Sequence, residues 1–180
     1  LSLRINMSKQ TIEIDYDTPL VVGATGTPLG DYKVGDVWPP AGMTPGEAVA
    51  RKKLSDDGIT VTSSSGATCI KVGQQSCTTV AGLSYAIIDK IKTAVCGNNK
   101  CPAGVLEITG GTEYWLHKSH RPGKPVIDLH ITPELTKALM ENGSSVFPTD
   151  KSWHGTSIFG SKKCWAEVNH WHCQSVAGSN

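Results

Sequence analysis

The chain has 180 residues, enough for one ordinary domain that buries its own core. Its 17 Lys and Arg nearly balance its 16 Asp and Glu, so no bulk charge draws it to nucleic acid or to an anionic membrane. The abundance of Gly, Ser and Thr and the scarcity of Phe favour strands, turns and loops over a helical bundle.

The run Thr11-Ile12-Glu13-Ile14-Asp15-Tyr16 alternates as a strand does, and a turn-rich stretch from Gly23 to Gly42 follows it. Residues 1–43 therefore read as a strand and an irregular arm, and 44–180 as the main domain. Thr44-Pro45-Gly46-Glu47 has the form of a capping box, a hydroxyl followed three residues later by Glu, and predicts a helix to about Asp57. Gly58 supplies its left-handed stop, and Ile59-Thr60-Val61-Thr62 resumes as a strand. Residues 62–82 read as a cross-linked loop. From Leu83, the apolar positions Ile87, Ile88, Ile91 and Val95 recur at helical spacing.

Val105-Leu106-Glu107-Ile108-Thr109 reads as a strand leading into a Gly110-Gly111 turn, which lacks the Lys and strand context of a phosphate loop. Pro125 to Ile131 is a further β-rich run. Thr132-Pro133-Glu134 opens a helix through about Glu141, stopped by Asn142-Gly143. The tail alternates again over Trp165-Ala166-Glu167-Val168 and His170-Trp171-His172-Cys173. The expected fold class is α+β, with a few helices packed on one antiparallel sheet.

The six cysteines fall as three sequence-close couples, Cys69 with Cys77, Cys96 with Cys101 and Cys164 with Cys173. An even count points to disulfides and an oxidising, extracytoplasmic compartment. The rival reading, a thiolate zinc site, would call for a C-x-x-C that the chain lacks. No apolar run is long enough to span a bilayer, so no membrane insertion is expected within this chain. The N-terminus has no signal-peptide pattern, and an export signal is expected to have been removed or to lie outside this sequence. Nothing in the sequence sets the oligomeric state.

All the histidines lie from His117 onward. On a strand, residues two apart share a face, so His170 and His172 can address one site while Trp171 turns away. A hydrolytic zinc site needs three protein ligands and one open position for water. Two His and one Asp meet that need. His117, His130 and His154 read as non-ligands, with His130, two residues after Asp128 on the same strand face, the substitute if Asp128 is not a ligand. The tryptophans Trp115, Trp153, Trp165 and Trp171 read as core filling before cleft wall.

Ser119-His120-Arg121-Pro122-Gly123-Lys124-Pro125-Val126-Ile127-Asp128 and Glu167-Val168-Asn169-His170-Trp171-His172 together resemble the zinc peptidases of the D-alanyl-D-alanine peptidase and Hedgehog superfamily, over about residues 83–176. The first segment is similar to their Ser-x-His-x-x-Gly-x-x-x-Asp motif, with one extra residue between Gly123 and Asp128. The second is similar to their terminal strand. The resemblance implies a Hedgehog or DD-peptidase-like fold, Zn2+ on His120, Asp128 and His172, and Glu167 or His170 as the base. It also implies a cation, Arg121 or Lys118, for the oxyanion, because Glu113 stands where many members have an arginine. The implied substrate is a peptidoglycan stem peptide containing D-amino acids. The alternative is a non-catalytic cell-surface binding or structural module that keeps the zinc.

Overall fold

The computed structural model describes residues 2–7, 10–15 and 32–174, with side chains from residue 32 onward. The alternating N-terminal run forms β2 (Gln10–Asp15), which pairs antiparallel with β1 (Ser2–Met7), a partner the sequence did not announce. Most of the expected irregular arm, residues 16–31, lies outside the described residues. Where the chain resumes, Trp38 is buried with Met43, Cys69, Val72, Cys77 and Ala81, and its indole N–H donates to Thr79 Oγ1 at 3.1 Å. A buried Trp needs such a partner. Residues 32–43 thus pack on the loop that follows the first helix.

That helix, α1, spans Glu47–Asp56 and buries Ala50 and Leu54, one turn apart on one face. The predicted capping box does not form. Gly46 is the N-cap with no side-chain bond, and Thr44 Oγ1 donates to the Gly42 carbonyl instead. The Glu47 carboxylate turns to a different set of donors, accepting from Thr79 Oγ1 at 2.6 Å and from the Val80 and Ala81 amides at 2.9 Å, while Arg51 Nε donates to its other oxygen. Several charge-assisted bonds within a part-buried segment outweigh the single amide that a capping box satisfies. The predicted stop at Gly58 is present, with φ +78° and a Cβ site that would collide with the Cys101 carbonyl.

The elements that follow are β3 (Thr60–Val61), β4 (Ala67–Thr68), β5 (Cys77–Thr78), α2 (Tyr85–Cys96), β6 (Glu107–Gly110), β7 (Val126–His130), α3 (Pro133–Leu139), β8 (Trp153–His154), α4 (Thr156–Phe159), β9 (Cys164–Ala166) and β10 (His170–Gln174). Six strands form one sheet in the order β3-β6-β7-β10-β9-β8, antiparallel throughout except for β3 with β6. The short β4 and β5 pair separately, parallel to each other. The architecture is mixed α/β with a mostly antiparallel sheet. Ile87, Ile88 and Ile91 of α2 and Leu135 and Leu139 of α3 pack with Ile108, Ile127, Leu129 and Trp171, which gives one face of the sheet its core. Among the described residues, no helix is long and apolar enough to cross a membrane.

All three cysteine couples are disulfides, paired locally as the spacing predicted. They fit a protein of an oxidising, extracytoplasmic compartment. Cys164–Cys173 ties β9 to β10 at paired positions.

Thr132 caps α3 as predicted, its Oγ1 accepting from the Leu135 amide at 3.2 Å, but the helix ends at Leu139, two residues before the expected limit. Glu141 is drawn instead to His154, whose Nδ1 lies 3.1 Å from Glu141 Oε2 and whose Nε2 lies 2.8 Å from Ser152 Oγ. β8 and α4, which this contact anchors beyond α3, were not expected, since runs of two and four residues show no periodicity. His154 also meets Trp171 edge to face at 5.7 Å, so it belongs to the helical side of the sheet.

Two outcomes follow from these ties. Burial pushes the Glu141 carboxyl up, but hydrogen bonds from His154 and from the Thr156 amide pull it down to about 2, from an ordinary value of 4.5. A carboxylate lowered in the folded state stabilises fully above its unfolded pKa and loses that contribution as pH falls through the folded one. Chemical denaturation should therefore show wild type more stable than Glu141→Gln at neutral pH, with the gap closing between about pH 4.5 and 2. Replacing both Cys164 and Cys173 by Ala should cost about 2 to 3 kcal/mol, the loop-closure term for a bridge of this span, read as a lower denaturation midpoint.

Candidate metal centre

The pairing of β7 with β10 sets His172 opposite Asp128, Trp171 opposite Leu129 and His170 opposite His130. Side chains alternate across a strand. Because Leu129 and Trp171 are drawn into the helical core, Asp128, His170, His172 and His130 must emerge together on the other face. Trp165 pairs with His172 and Trp153 with Trp165, so both half-buried indoles flank the same face and meet edge to face at 5.4 Å. Trp171 is core, as expected, while these two form a wall beside the histidines.

Gly110 lies across from Asp128 at an irregularity in the β6–β7 pairing. A Cβ at this position would stand 2.6 Å from Asp128 Oδ2, so only glycine leaves the carboxylate its room. From Gly111 the chain loops over this face, carrying Glu113, His117 and His120. The loop is pinned to residues 79–82: Thr112 donates through its amide to Thr79 O and through its hydroxyl to Ala81 O, and the Gly123 amide donates to Gly82 O. Glu113, fully buried, accepts from the Thr79 and Gly111 amides, both at 2.9 Å. Burial raises its carboxyl above the usual range and the backbone donors only partly offset this.

His120 is 1% exposed, and its Nδ1–H donates to Gly111 O at 2.8 Å. Its Nε2 then faces Asp128 Oδ1 at 3.2 Å. His172 Nδ1 approaches the same oxygen at 2.8 Å. With Nδ1 protonated, a neutral His120 would set a lone pair against a carboxylate oxygen, an arrangement that needs a proton or a cation between them. Burial alone would lower the His120 pKa, but the hydrogen bond to Asp128 and its charge raise it. Burial likewise opposes ionisation of Asp128, yet hydrogen bonds from His120 and His172 hold its carboxyl well below the usual range.

His117 completes the cluster. Its Nδ1 lies 3.8 Å from Asp128 Oδ2, its ring lies 4.6 Å from that of His120, and ligand atoms of His117, His120 and Asp128 all fall within 4.8 Å of one another. Burial and the charge of His120 lower its pKa, so the ring stays neutral more readily and keeps a lone pair to offer. Imidazole nitrogens and a carboxylate oxygen are the donors that divalent transition metals take. Two such donors about 2.0 to 2.1 Å from one tetrahedral ion lie about 3.3 Å apart, close to the His120–Asp128 separation. The group His117, His120 and Asp128 can hold a metal ion.

The structure places the expected His120 and Asp128 in that group, while the expected His172 stands outside it and touches it through its 2.8 Å contact with Asp128 Oδ1. His117, expected as a non-ligand, falls instead in the group that can hold an ion; it was read singly, and its place three residues before His120 on one loop was the available signal. His130 sits exposed at the end of β7, and His154 lies on the other face. Glu167 and His170 meet, with Glu167 Oε2 3.4 Å from His170 Nε2, because the chain turns through Val168 and Asn169 and the Glu167 amide donates to His170 O. His170 Nε2 is also 3.5 Å from Asp128 Oδ2. Arg121 is exposed, and its side chain makes no hydrogen bond or ion pair among the described residues, while its carbonyl accepts from the Lys124 amide.

Comparison with protein-family models, with curated proteins and with solved structures finds no match for the chain.

Gly110→Ala should drive its new methyl into Asp128. The expected cost is about 1 to 3 kcal/mol, as for other overpacked sites, measured as a lowered denaturation midpoint of the metal-free protein.

Proposed function

We propose that this protein is an extracytoplasmic zinc peptidase or carboxypeptidase acting on peptidoglycan stem peptides, with His120, Asp128 and His172 as zinc ligands. The observation that carries the reading is the convergence of two imidazole nitrogens on Asp128 Oδ1, at 3.2 and 2.8 Å, on the sheet face away from the helices. The motif resemblance and the placement of the donors on a loop, a strand and its antiparallel neighbour support a Hedgehog or DD-peptidase-like fold. The three disulfides support export.

When bound, zinc supplies a Lewis acid that polarises a scissile carbonyl and makes water a nucleophile near neutral pH. Glu167, nearly half exposed at the mouth of the site, takes the proton from the attacking water and returns it to the leaving amine. His170 stands between Glu167 and Asp128 and orients the Glu167 carboxylate. Arg121 or Lys118, on the exposed part of the loop, supplies the cation for the developing oxyanion. Trp165 and Trp153 wall the cleft beside His172 and exclude water from it.

A second reading, a zinc-containing cell-surface module without turnover, is favoured by one observation. Glu113 places a buried carboxylate where related sites carry a cation, and a negative group there would oppose an oxyanion.

His120→Ala and His172→Ala should each abolish stoichiometric zinc, measured by elemental analysis, while His154→Ala should leave it intact. Glu167→Gln and His170→Ala should keep the metal yet lower turnover of murein and short D-alanyl peptides by about two to four powers of ten. A wild-type protein with full zinc and no turnover on either substrate would select the module reading.

A further inference from the structure

Asp128 and His172 begin a row of paired residues that continues to the edge of the sheet: His172 pairs with Trp165 and Trp165 with Trp153. Side chains at paired positions share a face, so the two half-buried indoles extend the face on which the histidines stand. Neighbouring strands lie about 4.8 Å apart, which sets Trp165 about 10 Å and Trp153 about 14 Å from Asp128 along the row.

The five tryptophans divide by the use of their indole N–H groups. Trp38 donates to Thr79 Oγ1 at 3.1 Å, Trp115 to the Gln74 carbonyl at 2.8 Å and Trp171 to Thr136 Oγ1 at 3.3 Å. Trp153 and Trp165 make no such bond among the described residues. Whatever covers these two rings must bring acceptors, because an indole N–H shut away from water without one is costly. The surroundings are polar as well. Lys163 and Glu167 stand two residues to either side of Trp165, and His170 and Gln174 two residues to either side of His172, while β8, β9 and β10 put no aliphatic side chain on this face. A pocket for an apolar group is lined mainly by hydrophobic side chains. Flat aromatic faces ringed by donors and acceptors suit instead a ligand with C–H groups on its faces and oxygens around its rim, which describes a pyranose.

We propose that Trp165 and Trp153 form a saccharide subsite beside the metal centre, where a pyranose ring lies against the indoles and takes their N–H groups on its oxygens. Gln174 and Lys163 supply further donors at its rim. Resting on the peptidoglycan reading above for the source of the saccharide, the ring belongs to the glycan strand that carries the stem peptide. One row of the sheet then holds both parts of the polymer, the sugar over β9 and β8 and the peptide towards Asp128.

The test titrates the full chain, as purified, with a soluble tetrasaccharide of β-1,4-linked N-acetylglucosamine and follows the five indole N–H resonances by proton–nitrogen NMR. The signals of Trp153 and Trp165 are assigned by their loss in Trp153→Phe and Trp165→Phe. These two should shift on titration, and those of Trp38, Trp115 and Trp171 should not. Trp165→Ala should weaken binding about tenfold, the scale of one lost aromatic contact, and Trp165→Phe, which keeps a ring without the N–H, should weaken it less. Circular dichroism identifies any variant that fails to fold, and Trp153→Ala stands in should Trp165→Ala do so. A wild-type protein whose two indole signals stay fixed at millimolar saccharide would overturn the proposal. So would an affinity unchanged in both alanine variants, or shifts produced by short D-alanyl peptides and not by the saccharide, which would make the indoles a peptide subsite. None of these readings involves turnover, so a failure of the zinc and turnover assays above overturns the peptidase reading alone.

Discussion

Every feature of the centre depends on the register between β7 and β10. Leu129 opposite Trp171 is a core pair, and a slip of β10 by one residue would turn Trp171 outward and bury His170 and His172 among α2 and α3, away from Asp128. The cost of burying charged groups without partners exceeds anything a strand of five residues could recover elsewhere. The apolar demand on one face therefore enforces the polar assembly on the other. The Cys164–Cys173 bond reinforces the same register from the β9 side, at positions that face the core.

The second constraint is the disposal of buried carboxylates. Glu47, Glu113 and Asp128 all sit at or near the interior, and each is stabilised by a different means. Glu47 and Glu113 grip backbone amides of residues 79–81 and 111, so they act as struts that fix the loop at the height of the sheet. Asp128 has only imidazoles around it and stays ionised because they converge on it. The distinction separates acids that build the site from the one acid equipped to bind a cation. It also explains why Gly110 and Gly111 occur in succession: the first leaves space for Asp128, and the second brings the loop against the Thr79 carbonyl.

On the opposite face, His154 with Glu141 and Ser152 shows how the same residue types serve a structural end. This imidazole is enclosed by Trp171 and by the segment between α3 and β9, and both of its nitrogens are already engaged. Its partners lie on two different sides of the ring, so they cannot share one ion with it. Convergence of lone pairs, more than the presence of His and Glu, is what distinguishes the candidate metal centre from this latch.

By itself the sequence determined the elements whose signal is local: the amphipathic spacing of α2, the Gly58 stop, the Thr132 cap, the alternation of β10 and the three short-range disulfides. It also marked His120 and Asp128, which the fold sets 3.2 Å apart, because they lie eight residues apart in one short segment. Only the tertiary structure decided what depends on groups far apart. Glu47 left its predicted capping box because residues 79–81 offered it more donors, and β8 and α4 exist because His154 found Glu141 and Trp171. His117 joined the centre because a loop pinned to residues 79–82 carried it over Asp128. Each outcome was a competition between a nearby hydrogen bond and several distant ones, and the distant partners become visible only when the chain has folded.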